Sequence, residues 1–486
     1  MKKKLDYTIV LIFSAIVSFI FLLSSPLHPW NNYDIETDSS VFKTVTMMMG
    51  KGYMPYRDTF DHKGPLLYII NLLGDQFSSY RGVWIVEFLF MIVTVFMLYK
   101  ISRISCGLWE SLVTAIASLS LLYQFFEGGN LVEEYAMCFI AISLFIFLDY
   151  LANNHVTRFR LVICGATFAG TLLLRPNMIP VWVVMCLTIL IKVCSEKDWK
   201  NLKSFILYFC LGSLLVIVPI MLWLILKNDF SYFWDAYIVF NFEYTSDSSL
   251  SEMWCVFFFF FNHTIFYIAF LAQIYLLKAE NKWLNYAHLL CMLVTFFSIS
   301  FSGNDYKHYG MVLIPLITYP ISGIFSQIRT IKTVEVKHVL SMLVTLYFVV
   351  TLIMPYWEDT IQDLPPRYNS RSIDKISETA QTVASYVKSN TAEDDYISVY
   401  GNWDFIYILS GRKHATRYSY QFPIGTVRPG IMNEYISELT EAQPPVIVIQ
   451  SGYFDDTIST FLTENNYKLA WAENDDTITG ASVYTK

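Results

Sequence analysis

The chain has 486 residues, 55% of them hydrophobic and only 15% charged, with a formal net charge of −7. Uninterrupted apolar runs of roughly the 20 residues needed to cross a bilayer make it a polytopic membrane protein. The acidic balance gives no reason to expect a nucleic-acid partner.

In chain order, Met1–Lys4 and the apolar run Tyr7–Leu23 have the outline of a signal peptide. Ser24–Pro29 is a poor small-residue cleavage site, so a retained first helix is expected. Apolar runs near 7–25, 83–102, 108–126, 131–151, 160–175, 177–194, 204–226, 254–277, 284–301, 309–326 and 338–356 predict about eleven spans. With the N-terminus in the cytoplasm, Lys100 and Arg103, Arg158 and Arg160, Lys192 to Lys203, Lys278 and Lys282, and Arg329 to Lys337 all fall in inner turns. That is the positive-inside pattern on every inner loop. The outer turns then hold Glu127–Glu134, Arg175–Asn177, Lys227–Glu252 and Ser302–Tyr309, and an odd number of spans leaves the tail outside. The polar stretches 26–82, 227–253 and 357–486 therefore share one compartment.

All eight cysteines precede Met292, so no disulfide framework or thiolate metal site is expected in the tail. From Ile373 the tail alternates: an amphipathic helix to Val387, a strand Tyr396–Tyr400, a helix after Asn402, a helix Ile431–Leu439 and a buried strand Val446–Ile449. This predicts a small α/β domain without a glycine-rich phosphate loop. The expected division is a transmembrane module over 1–356, carrying the outer loop 26–82, and an extracytoplasmic α/β domain over 357–486. The basic turn Arg412, Lys413, Arg417 and Tyr418 reads as a solvated turn or a contact for an anionic polymer.

The loop after the first span gathers Asp34, Glu36, Asp38, Arg57, Asp58, Asp61, His62 and Lys63 in a chain with few charges. A hydroxyl that attacks must lose a proton, which asks for a carboxylate, and a departing phosphate needs positive charge or donors. One loop supplies both. Asp34, Glu36 and Asp38 alternate and so point one way in extended chain, and Asp38 also suits the N-cap of a helix starting at Ser39 or Ser40. A solvated, capped loop is the bland reading of the same residues. Gly50-Lys51-Gly52 with Pro55-Tyr56 marks a turn, and Asp61-His62-Lys63-Gly64-Pro65 leads into an interfacial helix over Leu66–Leu73, where Lys63 reaches phosphate or simply headgroups. Further along, Arg175 reads as an anion ligand or a snorkelling side chain, and Lys307 and His308 with Tyr309 suit a phosphate better than a metal. Glu133, beside Glu127 and Glu134, can position an acceptor or simply set topology. Tyr232–Tyr244 reads as an interfacial aromatic segment.

Three pieces in order, Asp38-Ser-Ser-Val-Phe42, Gly50-Lys-Gly-Tyr-Met-Pro55-Tyr56 and Asp61-His-Lys63-Gly-Pro65-Leu-Leu-Tyr68, resemble the GT-C glycosyltransferases. Within them the likeness is to the family 39-like branch of protein O-mannosyltransferases and lipid A aminoarabinose transferases. The motifs cover about a tenth of the chain, and Arg175-Pro-Asn177 and His308-Tyr309 resemble features of bacterial members. Eukaryotic relatives pair Asp with Glu where this chain has Ser39 after Asp38, which leaves Asp34 and Glu36 in play; Gly64 stands where many relatives have proline. The resemblance implies a GT-C type helical membrane enzyme in a bacterial cell membrane, with its active site and tail extracytoplasmic. It implies inverting transfer from a polyprenyl-phosphate-linked sugar donor to a cell-wall polysaccharide, teichoic acid or glycolipid, with no cofactor or metal required. Asp38 matches the catalytic carboxylate, Lys63, Arg57, Arg175, Lys307 and His308 are the candidate phosphate ligands, and Tyr56, Asp61, His62, Tyr309 and Glu133 are candidate substrate contacts. A transporter, flippase or polymerase for lipid-linked saccharides is the competing reading.

Overall fold

The structure is a computed structural model that describes residues 2–31, 37–246, 249–279, 281–301, 303–358, 362, 375–473 and 480–486. The chain divides into two compact units, each assembled from separate stretches: Met1–Ser24, Glu87–Leu222 and Asp247–Gln362 in one, and Ser25–Val86, Trp223–Ser246 and Asp363–Lys486 in the other.

The first unit is helical. Among the described residues, seven helices are long and apolar enough to cross a membrane: Tyr80–Ser102, Leu108–Phe125, Val132–Asn153, Trp199–Leu226, Lys282–Ser300, Lys307–Arg329 and Val334–Glu358. The run 254–277, expected as one span, is instead two helices, Leu250–Phe261 and Thr264–Leu276, bent by 87°. The break falls where Asn262 and His263 end the phenylalanine run, with His263 in extended backbone. Counted as one broken crossing, the pair makes eight. Arg158–Leu172 and Pro180–Ser195 occupy two further expected positions but have only 15 and 16 residues, short for a full crossing.

Val132–Asn153 and Lys307–Arg329 are central, with 78% and 83% of their apolar windows buried, whereas Trp199–Leu226 and Val334–Glu358 bury 11% and leave most of their apolar side chains exposed. Where lipid replaces water, close packing and polar pairs hold helices together. Gly165 and Gly212 show the first device. A Cβ on Gly165 would lie 1.9 Å from the Phe209 carbonyl oxygen, and one on Gly212 would lie 2.0 Å from that of Val162. Each glycine thus lets the other helix's backbone in, and Ser213 Oγ donates across the contact to Gly165 O at 3.1 Å. Trp182 Nε1–H to Ser143 Oγ at 2.9 Å and the Ser118–Thr318 hydroxyl pair at 3.0 Å are the second device.

The second unit holds a five-stranded sheet. Its strands are β1 (Tyr396–Tyr400), β2 (Lys413–His414), β3 (Val446–Gln450), β4 (Lys468–Glu473) and β5 (Ala481–Thr485), in the order β2-β1-β3-β5-β4. β1 runs parallel to β2 and β3, while β5 is antiparallel to β3 and β4. β3 is buried along its whole length, as its Val-Ile-Val-Ile run requires of a central strand. Helices Lys375–Asn390 and Gly430–Ala442 accompany the sheet; Tyr435 of the latter shares a 2.7 Å hydrogen bond with Ser398 of β1. The short helix Phe405–Ser410 packs on Lys375–Asn390 and also on Thr37–Gly50 from the first loop. Phe60 N–H donates to Arg417 O at 2.8 Å, Arg417 Nε–H to Tyr56 O at 2.8 Å, and Thr59 Oγ1 meets His414 Nε2 at 2.9 Å. Asn241 Nδ2 donates to His62 O at 2.8 Å, and Arg428 bridges to Asp235 and Glu243. The basic turn is therefore not solvated. Arg412 is buried and bonded to the Ser410 and Thr391 carbonyls, because a turn that clamps two elements needs every guanidinium donor it has.

Candidate active site

The acidic centre of the second unit is built around Asp61, which is 2% exposed. Its Oδ2 accepts from Tyr68 Oη at 2.8 Å, and its Oδ1 accepts from His62 N–H at 2.7 Å and from Tyr420 Oη at 3.2 Å. Tyr68 is placed by the helix Pro65–Asp75, which starts with Pro65 in its first turn as the sequence suggests. Burial pushes the Asp61 carboxyl above the usual carboxylate range, opposed by the Lys63 charge and the Tyr68 hydrogen bond, while the Asp38 charge adds to the rise. Asp38 is half-buried in the first turn of Thr37–Gly50, inside the helix and not at its N-cap. Asp34 and Glu36 lie outside the described residues.

Lys63 is half-buried and its Nζ meets His62 Nε2 at 2.8 Å. The Tyr56 hydroxyl donates to Lys63 O at 2.9 Å, from a fully buried ring whose backbone is left-handed at φ +65°. Arg57 makes a two-pronged pair with Asp58 through Nε and Nη2, both at 2.8 Å, and its N–H donates to Asp229 Oδ1 at 3.1 Å. Its charge is therefore committed. Asp229 is buried, and that burial lifts its carboxyl to about 7.

In the membrane unit, Arg175 donates through Nη1 to Glu133 Oε1 at 2.7 Å and through Nη2 to Tyr309 Oη at 2.7 Å, with its guanidinium 4.4 Å from the Tyr309 ring centre. His308 Nδ1 meets Glu127 Oε2 at 2.6 Å, while Lys307 is exposed. Glu127, Gly128, Gly129 and Asn130 all have positive φ, and the Asn130 N–H that this turn presents is shared by Glu87 Oε1 at 2.5 Å and Glu134 Oε2 at 2.9 Å. The acidic stretch Glu127–Glu134 thus meets Arg175 and His308 and, with Glu87, joins two carboxyls at one N–H.

Within the second unit, then, Asp38, Asp61, His62, Lys63 and Tyr56 gather. Within the first, Arg175, Glu133, Tyr309 and His308 do so. Asp404, Tyr420, Asp229 and Glu87 were not singled out from sequence. Asp404 lies between Trp403 and Phe405 at the head of a short helix, the pattern of an ordinary cap, and more than 340 residues along the chain from Asp61. No local signal pairs them.

Laid out this way, the fold matches two solved structures over most of the chain. The structure is similar to a crystal structure of ArnT from Cupriavidus metallidurans bound to undecaprenyl phosphate: TM-score 0.66 at 12% identity, covering 98% of this chain and 97% of that one. It is also similar to the archaeal oligosaccharyltransferase AglB from Archaeoglobus fulgidus in complex with an inhibitory peptide and a dolichol-phosphate: TM-score 0.58 at 13% identity, covering 92% of this chain and 70% of that one. By sequence, residues 1–321 match the family described as "Putative competence-induced protein Ccs4 N-terminal domain", and the chain belongs to that family. No curated protein sequence matches it.

Proposed function

We propose that the protein is a membrane glycosyltransferase that moves a sugar from a polyprenyl-phosphate-linked donor to an extracytoplasmic acceptor, a cell-wall polysaccharide, teichoic acid or glycolipid. The observation that carries this reading is the buried Asp61 with the half-buried Asp38 acting on it, in the unit that holds the first loop, within a fold shared across nearly the whole chain with a protein bound to undecaprenyl phosphate. In the proposed topology of about eleven spans in a bacterial cell membrane, the N-terminus is cytoplasmic and the tail extracytoplasmic.

In the proposed reaction, Asp38 takes the proton from the acceptor hydroxyl as its oxygen bonds to the anomeric carbon, and the bond from that carbon to the phosphate oxygen breaks. The configuration inverts. The electron pair leaves with polyprenyl phosphate, a good leaving group, and fixed cations receive its charge. Lys63 ranks first for that duty. Arg57, Arg175 and His308 rank lower because each already holds a carboxylate, and Lys307 because it is exposed. Tyr56, Asp61, His62, Tyr309 and Glu133 are proposed to shape the substrate sites, and Asp34 and Glu36 stand as alternative bases.

The test is transfer of radiolabelled sugar from a panel of undecaprenyl-phosphate hexoses to endogenous acceptor, in membranes carrying wild type or Asp38→Asn at matched expression. Transfer by the wild type and its loss in the variant is the expected result. An Asp38→Asn protein with full activity would remove the base assignment. No transfer from any donor, with altered exposure of lipid-linked sugar, would favour a flippase.

A further inference from the structure

Asp404 is 0% exposed and belongs to the tail, yet it is set against the first loop: Thr44 Oγ1, on the helix that carries Asp38, donates to the Asp404 carbonyl oxygen at 3.3 Å. Neither carboxyl oxygen has a well-aligned hydrogen-bond partner among the described residues. The Ser419 hydroxyl, also buried, lies beside it. A buried carboxylate in that state is costly unless it keeps its proton or meets a ligand, and such groups concentrate at functional sites. The facing titratable groups are Asp61, Tyr420 and Tyr407; from the helix Thr37–Gly50 the charged residues are Asp38 and Lys43, the latter ion-paired with Asp75. Tyr420, whose hydroxyl donates to Asp61, feels the charges of Asp61, Asp38 and Asp404 together. Around Asp61 and Asp404 stand tyrosine hydroxyls and one another's charges, with His62 Nδ1 3.6 Å from Asp61 Oδ1 and the Lys63 charge also acting on Asp61; no lysine or arginine is within ion-pair distance of either among the described residues.

We propose that Asp404 is a positioning residue of the carboxylate centre, contributed by the C-terminal segment, which holds the proton that the Asp61 and Asp404 pair must share and so keeps Tyr420 directed at Asp61. The proposal rests on the transferase reading above. Two buried carboxylates that face one tyrosine cannot both ionise cheaply, and Asp404, with only the poorly aligned Ser419 and Thr44 hydroxyls beside its carboxyl, is the member that retains the proton. Burial lifts its carboxyl to about 7, with the Asp61 charge a further contribution. When it ionises, a third negative charge faces Asp61 and Tyr420, and the geometry beside Asp38 is lost.

The experiment is the pH profile of transfer between pH 5 and 9, using the undecaprenyl-phosphate hexose that the wild type accepts, in membranes with wild type, Asp404→Asn, Asp404→Ala and Asp38→Asn. Rates are normalised to folded protein by size-exclusion in detergent. Asp404→Asn keeps the shape and cannot ionise, so it should hold at least half the wild-type rate at pH 6 and lose the wild type's fall on the alkaline side; Asp404→Ala should be at least tenfold slower throughout. An Asp404→Asn profile superposable on the wild type's would overturn the proposal, because a purely structural carboxyl changes the amount of folded protein and not the profile. Asp38→Asn separates the two ideas: its full activity removes the base assignment on which this inference rests, whereas its inactivity beside an unchanged Asp404→Asn profile sinks this inference alone.

Discussion

The two acidic regions of this protein place their buried carboxylates in different company. In the membrane unit Glu133, fully buried, is paired with Arg175 and Glu127 meets His308, while the buried Glu87 and Glu134 share the Asn130 N–H. In the other unit Asp61 meets two tyrosines and a backbone N–H, and Asp404 meets no well-aligned donor. A cation in contact favours a carboxylate's charged form, whereas burial among hydroxyls and other carboxyls favours the protonated one and raises basicity, which suits proton transfer. Under the proposed function, the proton transfer falls to the second unit, and the Arg175–Glu133 pair serves the shape of the first.

The largest effect that would break this contrast is at Asp38. Loss of the proposed base should lower transfer by about 10²–10⁴-fold, the usual worth of a positioned general base, with the amount of folded protein unchanged. Next is Arg175→Ala, which leaves Glu133 buried and unpaired. It should destabilise the folded protein by about 3–5 kcal/mol, read as a fall in Tm in detergent, and Glu133→Gln should cost less because it removes the charge that needs the partner. Equal, small shifts from both would mean the pair is not structural.

Asp404→Asn should do the reverse and stabilise above pH 7. The carboxyl binds its proton more tightly folded, about 7 against an unfolded value of 3.8, so between those values the folded state holds more protons and stability falls as pH rises. The variant should therefore have a flatter stability profile, gaining on the order of 1–4 kcal/mol at pH 8 relative to pH 4. The smallest effect is expected at Gly129→Ala. Its φ of +88° disfavours any side chain, and a Cβ there would lie 2.5 Å from Glu87 Oε1, so about 1–3 kcal/mol should be lost. A harmless substitution would show that the Glu127–Asn130 turn is not what sets the paired carboxyls.

Much of the scaffold was legible because its signals are local. Apolar runs mark helices wherever the chain must satisfy its backbone inside lipid, and the Val446–Ile449 run marks a central strand wherever it lies. The bend at Asn262–His263 was missed because two polar residues weigh little against five phenylalanines in a hydropathy window. In the candidate site, the loop carboxylates and Lys63 could be read from an unusual density of charge. That Arg57 is spent on Asp58, Arg175 on Glu133 and His308 on Glu127 could not, since a sequence displays charges but not their partners.

By itself the sequence determined the membrane class, the placing of its helices, the alternation of helix and strand in the tail and the first loop's concentration of acids. These follow from transfer free energies and periodicity, which act over a few to about twenty residues. Only the tertiary structure decided that the first loop, residues 223–246 and the tail form one unit, and that Tyr420 and Asp404 stand with Asp61. Those contacts span more than 340 residues, and they exist because burial of the sheet and of the aromatic loop brings distant polar groups together that no local pattern relates.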